Sequence, residues 1–82
     1  MKSKDKLEPL PDGFVAFHNE RGDRWRHKDI ADGRTGSGYR LFVSEKGEER
    51  RYVFGPHESH DATILDLREQ LARAEPVGPA AR

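Results

Sequence analysis

The chain of 82 residues contains no cysteine. That excludes a disulfide framework, a thiolate metal site and a cysteine nucleophile. It fits a reducing compartment, and the expected location is the cytoplasm. No apolar run approaches the roughly 20 residues that a membrane-crossing helix needs, so no membrane partner is expected. The stretch MKSKDKLEPLPDG at the start is charged and has no apolar segment of the signal-peptide kind. Neither sign of charge prevails, with 15 Lys and Arg against 15 Asp and Glu. A general attraction to nucleic acid or to an anionic surface is therefore not expected, and only a local basic patch would produce one. Apolar residues are scarce as well, at 33% against 37% charged. This composition lies near the boundary where chains stay disordered, and it allows only a small core worth a few kcal/mol.

The apolar residues that are present gather between Phe14 and Ala74. This predicts one domain over 13–74, a flexible arm over 1–12 and a flexible tail over 75–82. Two pentapeptides, NERGD at 19–23 and SEKGE at 44–48, share one turn chemistry. In each, a polar residue, a glutamate and a basic residue lead into a glycine. That pattern suits a three-residue hairpin loop whose glycine, Gly22 or Gly47, takes the left-handed conformation and forms a bulge. The flanking segments FVAFH, RWRHKDI, YRLFVS and ERRYVF are rich in β-branched and aromatic residues and read as strands. Residues 31–38, with three glycines, join the two hairpins. From 59 to 74, Ile64, Leu67, Leu71 and Ala74 recur at helical spacing, with Ser59 or Asp61 as the expected N-cap. Leu65 and Ala72 widen this stripe, and Arg68 falls inside it. The expected architecture is α+β: a four-stranded antiparallel meander of two hairpins, followed by one C-terminal helix packed on one face.

The turn sets the register, and two registers are open, so which face the helix covers is open too. A two-residue turn at Lys46-Gly47 gathers Tyr39, Leu41, Val43, Tyr52 and Phe54 on one face with Phe42 and Val53 opposite, whereas the bulged loop divides them differently. With Ser44 opposite Glu48, Phe42 faces Arg50, Arg40 faces Tyr52 and Tyr39 faces Val53. One side of the second hairpin then carries Tyr39, Leu41, Val43 and Val53, and the other carries Arg40, Phe42, Arg50, Tyr52 and Phe54. In the first hairpin Phe17 faces Trp25 and Val15 faces His27. The second hairpin is thus apolar on both sides, whereas a single helix covers only one. The remaining aromatic and arginine surface has three readings: cover by the arm through Leu7 and Leu10, a protein interface including a homodimer, or a nucleic-acid platform.

The leading functional expectation is a small non-catalytic module that binds a protein partner or itself. Its expected contact residues are Trp25, Arg40, Phe42, Arg50, Tyr52 and Phe54, because aromatics and arginine dominate binding hot spots. The alternative is a nucleic-acid-binding module that uses Arg24, Arg26, Lys28, Arg40 and Arg50. A third possibility, a metal-binding or enzymatic site, rests on HESHD at 57–61, where His57, His60 and Asp61 have metal-like spacing and could also act as a proton-transfer pair. A zinc site there needs further ligands from His18, His27 or Glu58. No cofactor and no small-molecule substrate are expected. The glycine-rich GRTGSG leads into a strand rather than a helix N-terminus, which removes the phosphate-cradle reading.

Overall fold

In a computed structural model of the chain, residues 7–77 are described. The chain forms a six-stranded antiparallel sheet in sequential order, with one helix on one face. The strands are β1 (Glu8–Pro9), β2 (Val15–His18), β3 (Arg24–Ala31), β4 (Gly38–Ser44), β5 (Glu49–Phe54) and β6 (Glu75–Pro76). The helix, α1 (Ile64–Arg73), lies between β5 and β6 in the chain.

The two hairpins form through the expected turns. Asn19 N–H donates to the Asp23 carbonyl and Ser44 N–H to the Glu48 carbonyl, both at 2.9 Å. Gly22 and Gly47 stand at φ of 85° and 91°, a conformation that side chains with a Cβ rarely adopt. The first residue of each turn explains the shared chemistry further. Asn19 Oδ1 accepts from the Arg21 and Asp23 N–H groups, and Ser44 Oγ accepts from those of Lys46 and Glu48. A short polar side chain therefore satisfies two turn donors in each hairpin. The register is the one that these turns imply: Phe17 opposes Trp25, and Phe42 opposes Arg50.

The meander has six strands rather than four. β1 pairs with β2 and β6 with β5, so segments expected as arm and tail each contribute a two-residue strand. Each holds a proline, Pro9 or Pro76. Proline is tolerated at a sheet edge because its missing donor would face solvent, and there it also discourages pairing with another chain. The rest of the arm and tail, 1–6 and 78–82, lies outside the described residues. The connector between the hairpins is 32–37. Gly38 belongs to β4, where a Cβ would collide with the Ile30 carbonyl oxygen.

The helix is shorter than expected. Thr63, not Ser59 or Asp61, is the N-cap, and its hydroxyl accepts from Asp66 N–H at 3.1 Å. The Ser59 hydroxyl is used locally instead, accepting from Asp61 N–H. At the other end Ala74 is extended, and the chain passes directly into β6. Leu67 and Leu71 of the helix, with Ala74 just after it, are buried against Phe17, Trp25 and Phe42, with Leu7, Tyr52, Ala62 and Ile64 around them. Leu65 points away and is 60% exposed. Arg68 Nε donates to the His18 carbonyl at 2.8 Å, which ties the helix to the end of β2.

Candidate interaction surface

Cross-strand pairing places Phe17, Trp25, His27, Asp29, Arg40, Phe42, Arg50, Tyr52 and Phe54 on the helix side of the sheet. Most of the residues expected to meet a partner are therefore beneath α1. Phe42 is 0% exposed, Arg40 1% and Phe54 2%, and Trp25 is buried beside them. Tyr52 and Arg50 are half-buried. The expected docking patch is largely the core, because the helix lays its leucines on the aromatic side of β4 and β5. Arg50 is held by Glu48 at 2.7 Å. Of the alternative nucleic-acid set, Arg40 and Arg50 share this side, while Arg24, Arg26 and Lys28 lie on the opposite one.

Beneath the helix, Arg40 is the centre of a polar clasp. Its guanidinium donates to both carboxylate oxygens of Asp29, to Gln70 Oε1 at 2.6 Å and to the His60 carbonyl. β3, β4, the helix and the loop preceding it all converge on this one side chain. Fork-shaped pairing of this kind is the strong form of a charge-assisted hydrogen bond.

His27 lies next to the clasp, with Phe17 and Phe42 at ring centroid distances of 5.9 and 6.2 Å. Neither ring nitrogen has a hydrogen-bond partner among the described residues. Burial, reinforced by the Arg40 guanidinium and opposed by Asp29, lowers its pKa from 6.5 to about 4. The unfolded chain thus takes up a proton near pH 6.5 that the folded one refuses until about 4. Stability is complete above 6.5 and falls as the pH drops toward 4. The expected loss over this window is about 2 kcal/mol, allowing for solvent screening. Urea unfolding of the parent and of His27→Phe, at pH 7 and pH 5, checks this. The variant should lose most of the difference, and an unchanged difference would refute the assignment.

Among the described residues the opposite face has no helix. By register it carries Ala16, Arg26 and Val43 in one row, Lys28, Leu41 and Arg51 in the next, and Ile30, Tyr39 and Val53 beyond. Leu10 sits beside Ala16 and Val43, which are buried. Leu10 thus walls a groove at one end of this face, while Leu7 packs on the core side. The other end is open: Val53 is 69% exposed and Ile30 37%. Its cations lie over its aromatic rings, with Arg51 at 4.5 Å from the Tyr39 centroid and Arg26 and Lys28 at 5.1 and 5.8 Å from that of Phe14. Such contacts contribute about 0.5–1 kcal/mol each at exposed sites and hold the charged heads on the sheet. Tyr39, Leu41, Arg51 and Val53 are the surface residues that the expected contact set omitted.

Two further candidates do not assemble a site. A cleft of about 440 Å³ separates the hairpin tips, where the cations Arg21, Arg24 and Lys46 are matched by the carboxylates Asp23, Glu45 and Glu48. Asn19 and Ser44 occupy turn N–H groups beside it. His57, His60 and Asp61 do not converge: the His60 ring packs on Phe54 at 4.6 Å, and its carbonyl serves Arg40. Among the described residues no group of three His, Cys, Asp or Glu side chains is placed to hold a metal, and no helix is long and apolar enough to cross a membrane.

No family model, curated protein or solved structure matches this chain.

Proposed function

We propose that the protein is a small non-catalytic interaction module that binds a protein partner through the helix-free face of its sheet. One observation carries this reading. The sheet already has a complete core on its helix side, yet Val53 and Ile30 stand exposed beside Tyr39 and Leu41 on the other. Exposed apolar residues that stand together and are rimmed by polar ones are the surface pattern of interaction sites. The mixture of aromatic residues and arginine resembles the anchors of protein interfaces.

A photoreactive residue at position 53, introduced in the cells that make the protein, tests the proposal. The control position is 65, which is exposed on the outer side of the helix. Adducts of defined mass are expected from position 53 and not from 65. Equal yields at both, or none at 53, would remove the proposal. Nucleic-acid binding is the second reading, favoured by Arg24, Arg26 and Lys28 lying along β3 on the same face. It predicts that the adducts at 53 are destroyed by nuclease.

A further inference from the structure

Resting on the interaction reading above, we infer that the helix-free face receives an acidic amphipathic helix of a partner protein. The partner's apolar stripe lies over Tyr39, Leu41 and Val53, and its carboxylates meet Lys28 and Arg51. The register sets this geometry. Lys28, Leu41 and Arg51 are cross-strand neighbours in one row, so the two cations flank an apolar floor. Adjacent strands lie about 4.8 Å apart, which puts Lys28 on β3 and Arg51 on β5 about 10 Å apart across β4. A helix with its side chains is about 10 Å wide. Laid along β4, it brings one flank over β3 and the other over β5. A partner with leucine-like residues on its lower face and carboxylates on both flanks satisfies the apolar and the charged parts of this surface together.

The charges of the face support an acidic occupant. Among the described residues neither Lys28 nor Arg51 has a carboxylate within ion-pair distance. The Lys28 ammonium instead donates to the Asp12 carbonyl at 3.2 Å, and Arg51 rests on Tyr39. The carboxylates of the face border the patch without pairing with Lys28 or Arg51. Glu8 is on the edge strand β1 and pairs with Arg24 at 3.8 Å, Glu49 opposes Val43 at the start of β5, and Glu75 on the edge strand β6 stands opposite Arg51 but outside ion-pair distance. A second copy of this chain fits poorly, because face-to-face stacking about Leu41 sets the Lys28 and Arg51 rows against themselves, and like charges oppose such a pairing. Single-stranded nucleic acid fits less well than an acidic helix. Apart from Tyr39 the floor is aliphatic, and the rings of Phe14 and Tyr39 already carry the chain's own cations on a face that a base would need for stacking.

The test is an amide NMR titration of the full chain with three probes. The first is a capped synthetic peptide of about 14 residues of Leu, Ala and Glu, with leucines at helical i, i+3, i+4, i+7 spacing. The second is its twin with lysine in place of every glutamate, and the third is a mixed-sequence single-stranded oligonucleotide. The acidic peptide is expected to shift the amides of Ile30, Tyr39, Leu41 and Val53 saturably. It should bind at least tenfold more tightly than its twin. The double variant Lys28→Gln, Arg51→Gln should weaken it about tenfold, with the fold retained and the melting temperature lowered only by the few degrees that two lost cation–π contacts account for. Equal binding of the twin, an affinity unmoved in the double variant, or shifts confined to α1 would overturn the inference. So would an oligonucleotide that moves this face when the acidic peptide does not. If the twin or the oligonucleotide alone moves the face, the acidic partner is lost and an interaction surface stands. If all three leave the face silent and position 53 also fails to cross-link, both readings fall.

Discussion

Replacing Arg40 with alanine is expected to lower the unfolding free energy by about 3–5 kcal/mol, because removal of one partner strands the other charge in a buried pair. A domain of this size has only a few kcal/mol to lose, so the variant should be largely unfolded at room temperature. The reason lies in how many elements meet at one guanidinium. Arg40 is bound to Asp29 on the neighbouring strand, to Gln70 on the helix and to the His60 carbonyl in the loop. Without it, Asp29 keeps a largely buried carboxylate with no counter-charge, and the helix loses the Gln70 bond that fastens it to β4. Arg40→Lys should fail in the same direction, since an ammonium is a point charge and cannot donate in a fork to both oxygens. Arg40→Met combined with Asp29→Leu should recover much of the loss, because an apolar pair of similar volume is often neutral relative to a buried ion pair. Urea unfolding with a common m-value measures all three. A loss below about 1 kcal/mol for Arg40→Ala would mean that the clasp is dispensable, since surface pairs have values of that order.

The same clasp marks the point where the sequence stops being legible. Strands 2 to 5 and both turns follow from local chemistry: glycine after a basic residue, and alternation on either side. The register of the second hairpin rests on one turn residue, because a two-residue turn at Lys46-Gly47 shifts it, and the bulged form is the one the structure shows. The pairing between the hairpins does not follow from local chemistry, because a six-residue connector leaves it open. That pairing sets His27 opposite Phe42 and Asp29 opposite Arg40. Only then is it clear that Arg40 has a buried partner and that Phe17, Trp25 and Phe42 form one surface. A carboxylate within β3 was the available signal, since a lone acid in a strand otherwise rich in cations asks for a basic partner across the sheet. The edge strands were illegible for a different reason. Two-residue strands have no periodicity, and proline reads as a breaker unless its edge position is known. The helix start was misplaced because Ser59, Asp61 and Thr63 are all acceptable caps, and the choice among them depends on where Arg40 draws the His60 carbonyl.

Phe42→Ala is expected to cost about 3–5 kcal/mol, the range for truncating a fully buried phenylalanine. The ring is 0% exposed, meets Phe17 edge to face at 5.8 Å and belongs to the cluster that holds Leu67 and Leu71. Little can move in to fill the space, because rigid strands border it on both sides and the helix is fixed above by the Arg40 clasp. Val53→Thr, on the partner strand but the opposite face, should change stability by no more than about 0.5 kcal/mol. Denaturant unfolding of the two variants therefore reports which side of the sheet the helix covers. Similar costs for both would place the core elsewhere and return the Phe42 side to the candidate docking surfaces. The contrast also governs how binding must be tested. A substitution at Phe42 abolishes binding by abolishing the fold, whatever the partner touches. Changes at Val53, Lys28 and Arg51 leave the core intact, so a loss of binding there is a statement about the surface itself.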